Sequence, residues 1–268
     1  MGRIMAHTGR HRWIGLAAGL MTLAGASACS SDTGSTTAQS TAAPPAAIGT
    51  PAQTTSGTPT FKPTFDPANF GTSIDNPYLT LTPGTTYTYA NKTADATETV
   101  HVEVTHKTEN IAGVPSVVVH DYLTKGQTVV EDTIDWYAQD KQGNVWYMGE
   151  ATKEFSPGTA PNTGGSWRAG VDGAEAGIAM PADSTVGEVY RQEYYKGEAE
   201  DMASTVGFSG VANVPYGSYK NLLEIKEWTP LEPSVEEHKY YARGVGLVRS
   251  VATKGGTEQQ DLVTITLA

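Results

Sequence analysis

Residues 85–148 contain five short segments rich in β-branched and aromatic residues, and this feature most restricts the fold. They are residues 85–89, 99–104, 117–122, 128–138 and 145–148. Such residues favour strands because their side chains pack well on a pleated surface. Turn-forming residues at 125–126 and 140–144 separate the later segments. The pattern predicts a mainly β fold with little helix: an antiparallel curved sheet, or a half-open barrel or sandwich, running as an up-and-down meander.

The alternation of side chains is clearest in residues 131–138. In a strand, Glu131, Thr133, Asp135 and Tyr137 share one face, while Ile134, Trp136 and Ala138 take the other. We expect the second face to be core and the first to be wet or to line a ligand site. Tyr137, beside Thr133 and Asp135, is the better candidate for lining a site, and Trp136 is the better core candidate.

Cys29 is the only cysteine, and it follows a segment typical of a secretory signal. That segment has a basic start, an apolar run over residues 13–23 and small residues at 26–28, and such signals are removed on export. Residues 26–29 (ASAC) resemble the bacterial lipobox, which implies acylation of Cys29. The alternative is ordinary cleavage after Ala28, which leaves a free thiol. We expect an acyl anchor of the palmitate type in the lipid bilayer, on the outer, extracytoplasmic face of the cell membrane.

Composition divides the chain into three parts. Residues 1–28 are the predicted signal peptide, residues 29–62 the lipidated cysteine with a disordered Ser/Thr/Ala/Pro tether, and residues 63–268 a single β-rich domain. Because Cys29 precedes the domain, packing and strand pairing must stabilise it without a disulfide. The whole chain has 29 acidic and 18 basic residues, and this acidity argues against nucleic acid as a partner.

Three short motifs recur about 100 residues later in the chain. The pairs are 112–119 with 213–225, 136–138 (WYA) with 240–242 (YYA), and 85–89 with 188–192. This echo predicts two similar meanders, at about residues 75–150 and 186–255, joined by a Gly/Pro-rich loop or lid at 156–187. Reuse of common turn residues is the alternative. The best helix candidate is residues 198–203, which has acids in its first turn.

Four segments resemble an uncharacterised family of exported bacterial lipoproteins of actinobacterial type. They are residues 75–89 (DNPYLTLTPGTTYTY), 131–140 (EDTIDWYAQD) together with 143–147 (GNVWY), 191–195 (RQEYY) and 238–248 (HKYYARGVGLV). The family has no assigned activity, so the resemblance implies an envelope lipoprotein but no reaction. The last segment is also similar to the final hairpin of envelope lipoproteins for which a curved, lipoprotein-carrier-like sheet is expected.

Acidic residues are densest at Glu131, Asp132, Asp135, Asp140 and Glu150. Calcium needs several oxygens that converge on one loop, but no D-x-[DN]-x-[DN]-G loop occurs. Asp132 also points away from Glu131 and Asp135 on a strand. We therefore expect solvated side chains here and no metal site.

The histidines that follow the signal are His101, His106, His120 and His238. None has the spacing of a zinc site, and His120 and Asp121 point to opposite strand faces. No nucleophile elbow or phosphate loop occurs. We expect no metal, no cofactor and no identifiable catalytic residue.

The sequence therefore predicts a membrane-anchored, non-enzymatic β-domain that binds an unknown small ligand or an envelope protein. Tyr and Trp side chains suit such a site because each has an apolar face and a polar tip. The candidate lining residues are Glu131, Thr133, Asp135 and Tyr137. Two alternatives remain: a secreted hydrolase-like enzyme without a recognisable motif, and a structural protein of envelope assembly. A concave site would separate the first two functions from the third.

Overall fold

A computed structural model describes residues 61–71, 73–94 and 96–267; Cys29 and residues 1–60 lie outside the described residues. The described chain contains one 3-10 helix, Pro67–Asn69, and sixteen strands. The strands are β1 (Asp75–Asn76), β2 (Leu79–Thr80), β3 (Thr85–Lys92), β4 (Thr97–Ile111), β5 (Val114–Lys125), β6 (Thr128–Gln139), β7 (Val145–Glu154), β8 (Trp167–Arg168), β9 (Glu175–Met180), β10 (Val189–Arg191), β11 (Glu193–Tyr194), β12 (Met202–Val214), β13 (Gly217–Trp228), β14 (Glu236–Ala242), β15 (Gly246–Lys254) and β16 (Gln259–Leu267). The single helix of the described residues, three residues long, is far too short to span a bilayer.

Fourteen of the strands form one antiparallel sheet, and β1 and β2 form a separate pair. The order is β10-β12-β13-β14-β15-β16-β3-β4-β5-β6-β7-β9-β11, with β8 beside β7. From β12 to β16 and from β3 to β7, neighbours in the sheet are also neighbours in sequence. The β16–β3 pair joins the two runs in the middle of the sheet. The predicted mainly β, antiparallel class is confirmed, and the curved sheet is not closed into a barrel.

The two outermost strands of this order, β10 and β11, are separated in sequence by one residue, Gln192. The curvature therefore brings both ends of the sheet to the same place. Gly177 of β9 packs there, and a Cβ atom on it would lie 2.3 Å from the Gln192 carbonyl oxygen. We call this meeting of β10 and β11 around Gln192 the junction. Only a glycine allows β9 to approach it so closely.

The five predicted strands are present as β3 to β7, and each strand is longer than the β-rich segment that predicted it. The loop predicted at 156–187 contains β8 and β9. The predicted helix at 198–203 is wrong. A turn closes there, with the Ala199 amide donating to the Tyr195 carbonyl (2.8 Å), and β12 begins at Met202. Six residues are too few to offset the cost of helix nucleation once the sheet can pair them.

The two runs of strands have irregularities at corresponding places. The β6–β7 ladder shifts register between Trp136 and Tyr137, and the β14–β15 ladder shifts between Tyr240 and Tyr241. Such bulges bend a strand and increase its twist. These are the positions of the WYA and YYA motifs, and the proposed duplication stays a prediction.

Both faces of β7 are covered at its first half, where residues 145–150 are all buried. Trp146 packs on one side, against the segment before β1, and the next residue, Tyr147, packs on the other side against Tyr137. This doubly covered strand and its neighbour β9 form the base of the candidate site.

Candidate ligand-binding site

A cavity of about 720 Å³ lies between β9 and residues 61–65, which we call the strap. Four alanines and two glycines contribute to its walls, and these small residues leave the space open. Larger apolar side chains also line it, among them Phe61, Phe65, Trp146 and Ile178. The volume lies within the roughly 300–1,000 Å³ of ligand pockets, and an apolar lining with few polar groups is typical of them.

The strap is fixed at both ends. The Phe61 amide donates to the Val189 carbonyl at 3.1 Å, so the strap starts as a short bridge beside β10. At its other end the Phe65 ring lies 5.4 Å from the Phe70 ring and 5.6 Å from the Trp146 ring, measured between centroids. The residues between these two attachments form the outer wall of the cavity.

Asp140 positions Trp146 for this contact. The indole Nε1 of Trp146 donates to Asp140 Oδ2 at 2.9 Å, while Oδ1 accepts from the amides of Gln142 (3.0 Å) and Asn144 (2.9 Å). The carboxylate thus closes the predicted turn at 140–144. The expectation that Asp140 is solvated is wrong, since it is buried in this role.

Arg191, the last residue of β10, also lines the cavity. Its guanidinium lies 4.3 Å from the centroid of the Tyr194 ring, a cation–π contact. Its buried Nε has no hydrogen-bond partner among the described residues. Lys62 and Glu175 also line the cavity and pair at 3.9 Å, with both side chains largely exposed.

A second, smaller pocket of about 270 Å³ lies nearby and is lined in part by Trp136, Glu150, Trp167 and Arg168. The Trp136 Nε1 donates to Glu109 at 2.9 Å, and the same carboxylate pairs with Arg168 at 2.6 Å. Trp136 is buried, as a core residue should be, but its ring also forms part of this pocket. Arg168 is neutralised here, unlike Arg191.

The predicted lining residues Glu131, Thr133, Asp135 and Tyr137 share a face, and each is only 1% exposed. The curved sheet encloses that face, so it does not face solvent. The expectation of solvated acids is therefore wrong for Glu131 and Asp135, and also for the buried Glu150. None of the four is among the residues that line the cavity, and their role as ligand contacts stays a prediction.

Tyrosines neighbour these acids inside the sheet. The Tyr147 hydroxyl donates to Asp135 Oδ1 at 2.6 Å, whereas the buried Tyr137 hydroxyl has no hydrogen-bond partner among the described residues. Burial, and then the nearby Asp135 charge, raise the pKa of both phenols well above the ordinary value. Both phenols are therefore neutral at physiological pH.

A second buried cluster, which sequence reasoning missed, surrounds Lys239. Its Nζ lies 2.6 Å from Glu227 and 3.8 Å from Glu237, and the Gln192 side chain donates to Glu227 at 3.0 Å. Burial lowers the pKa of Lys239, but the two glutamates raise it more, so it stays charged. Burial raises the pKa of Glu237 to about 7 and that of Asp201 well above its ordinary value. The cluster ties the junction at Gln192 to β13 and β14.

Two histidines form pairs with carboxylates across neighbouring strands. His238 Nδ1 lies 2.6 Å from Glu224 Oε1, and His120 Nε2 lies 3.4 Å from Asp132 Oδ2. Within residues 61–71, 73–94 and 96–267, no group of three or more His, Cys, Asp or Glu side chains is arranged to hold a metal ion.

Sequence reasoning missed Phe61, Phe65 and Arg191. Three of the five phenylalanines occur at 61, 65 and 70, directly after the Ser/Thr/Ala/Pro-rich stretch, and that local enrichment is a signal for packing. Arg191 lies in residues 191–195, one of the segments that carry the family resemblance, but the sequence assigned it no role. Only the fold reveals it, because the lining comes from strands distant in sequence.

Comparison with known proteins finds no matching family model and no matching curated protein. Two crystal structures are similar in part. One is a candidate exported protein with a YmcC-like fold from Bacteroides fragilis, 16% identical over 69% of this chain and 96% of its own, with a TM-score of 0.42. The other is a candidate lipoprotein from Parabacteroides distasonis, 12% identical over the same shares, with a TM-score of 0.39. At TM-scores below 0.5, neither likeness carries an argument about this chain.

Proposed function

We propose that this chain is an envelope lipoprotein, anchored on the extracytoplasmic face through Cys29, whose β-domain binds a small apolar molecule non-covalently. The observation that carries the binding function is the cavity beneath the strap. It combines a volume suited to a small ligand with aromatic and aliphatic walls, which gain free energy when they and an apolar ligand leave water.

The small residues of β9 support this function. Ala176 lines the cavity, and replacing it with one of the large side chains usual in a core would fill part of the space. Phe65 packs edge to face on Trp146, which lies on the neighbouring strand β7 opposite Ile178 of β9. Rigid aromatic walls beside small residues favour a flat or chain-like apolar ligand over a polar one.

A neutral fluorescent probe tests the binding function. Nile red should bind the full chain saturably, with the increased fluorescence of an apolar site. Ala176→Trp, which adds an indole to the cavity wall, should weaken this binding about tenfold. Ala252→Trp is the matched control, because Ala252 is similarly half-buried but lies on β15 and is not among the cavity residues. Absence of saturable binding, or equal loss in both variants, would reject the binding function.

Mass spectrometry of the mature protein tests the anchor. We expect a diacylglycerol thioether on Cys29 as the new amino-terminal residue, because a single acyl chain alone holds a protein only weakly and two or more hold it firmly. Cys29→Ser should release the protein from the membrane fraction, while Ser30→Ala should not. A Cys29→Ser protein that stays on the membrane would reject the anchor and leave the binding function intact.

A further inference from the structure

Arg191 has no acidic partner among the described residues, although the protein is rich in acids. No carboxylate lies within 4 Å of its guanidinium among the described residues, and its buried Nε makes no hydrogen bond there. By contrast, Arg249 pairs with Asp261 at 2.6 Å, and Arg168 pairs with Glu109 at 2.6 Å. Arg191 therefore carries a positive charge at the cavity that no described carboxylate neutralises.

The cavity as a whole carries this charge. Its other charged residues, Lys62 and Glu175, pair with each other and are 80% and 57% exposed, so water screens them. Arg191 is held more firmly, since its guanidinium rests on the Tyr194 ring. The site thus presents apolar walls and one fixed cation.

We infer that the ligand is a single-chain amphiphile with one anionic head group, whose apolar chain lies under the strap and whose head group accepts hydrogen bonds from Arg191. This inference rests on the proposed binding function and specifies its ligand class. The planar guanidinium can present two parallel donors to a carboxylate. Phe61, Phe65 and Ile178 offer the surface for the chain.

The positive charge of Arg191 gives the site its selectivity between ligands. A fatty acid and its methyl ester share the same apolar chain, but only the acid supplies an anion that can pair with the Arg191 guanidinium. A hydrogen bond to a charged group corresponds to a preference of about tenfold or more. The full chain with Cys29→Ser should therefore bind oleate at least tenfold more tightly than methyl oleate. The Cys29→Ser change ensures that no acyl chain of the protein competes.

Substitution of Arg191 provides the second readout. Arg191→Gln should abolish the preference for oleate over methyl oleate, while Arg191→Lys should restore part of the preference. Arg243→Gln is the matched control, because it removes the same charge from an exposed turn outside the cavity. Arg243→Gln should leave the affinities for oleate, methyl oleate and Nile red unchanged.

The outcomes separate the two proposals. If Nile red binds but oleate and methyl oleate bind equally, the anionic ligand class is rejected and the binding function stands. A preference that survives Arg191→Gln also rejects the role of Arg191. If no probe binds, the binding function itself fails. The comparison of acid and ester on the chain with native Arg191 keeps the test decisive even if Arg191→Gln does not fold.

Discussion

Lys239 and Glu227 form an ion pair inside the sheet, with Nζ 2.6 Å from Oε2 and both side chains 1% exposed. Charges removed from water in this way are stable only while they are paired, because each loses its hydration. The stability of the fold should therefore depend on such buried polar pairs.

Replacing Lys239 should destabilise the fold strongly. Lys239→Met leaves Glu227 and Glu237 without their buried counter-charge, and breaking such a pair costs about 3–5 kcal/mol. Chemical denaturation at pH 8 measures the loss. Lys226→Met is the control, because Lys226 pairs with Glu236 at 3.7 Å near the surface and such a pair is worth less than about 1 kcal/mol. Similar losses in the two variants would contradict the importance of burial.

Stability should depend on pH through Glu237. Its pKa rises from 4.5 to about 7 on folding, so between these values the folded state binds more protons than the unfolded state. The resulting stabilisation is full below about pH 4.5 and is lost as the pH rises to about 7.

Glu237→Gln removes this titration and keeps an acceptor for the Ser250 hydroxyl, which bonds to Glu237. Relative to the unsubstituted chain, the variant should become more stable between pH 5 and pH 8, by up to about 3 kcal/mol. Denaturation midpoints across this range provide the measurement. Exposed Glu198→Gln should show no such trend, and a flat difference for Glu237→Gln would exclude this pKa.

The two neighbouring tyrosines Tyr147 and Tyr137 should respond differently to loss of the hydroxyl group. Tyr147→Phe removes the donor to Asp135 and should cost about 1.5–3 kcal/mol, as expected for a hydrogen bond to a charged group. Tyr137→Phe removes a buried hydroxyl without a described partner and should be neutral or stabilising. Their rings lie 4.9 Å apart, so each variant is a control for the other. The reverse order of stabilities would be incompatible with the hydrogen bonding described.

Gly177 should not tolerate a side chain. In Gly177→Ala, a Cβ atom 2.3 Å from the Gln192 carbonyl oxygen forces β9 away from the junction, and overpacking of this kind costs about 1–3 kcal/mol or more. Thermal denaturation would show it as a lower melting temperature. Gly207→Ala is the matched control, because no atom lies within 4 Å of the added carbon. Equal melting temperatures for the two variants would argue against the close approach.

The strands β3 to β7 could be predicted because dense β-branched and aromatic residues signal a strand locally. The sequence alone could not predict which face of β6 is buried. Period-two alternation separates Asp135 from Trp136 but does not identify the solvent side. That depends on the curvature of the sheet, which encloses the polar face together with tyrosine partners such as Tyr147.

The candidate site was hidden for a related reason. Phe65, Trp146 and Arg191 are distant in sequence, and no local pattern indicates that the sheet brings them together. Lys239 is similar: a lysine in a strand ordinarily suggests solvent, and only the positions of Glu227 and Glu237 explain its burial.

A typical sheet loosens independently at its two margins, because each margin belongs to a different stretch of chain. Here a single peptide around Gln192 belongs to both. We therefore expect the amide hydrogens of β10 and β11 to exchange with solvent as one cooperative unit, so that fraying of one edge strand of the sheet is also fraying of the other.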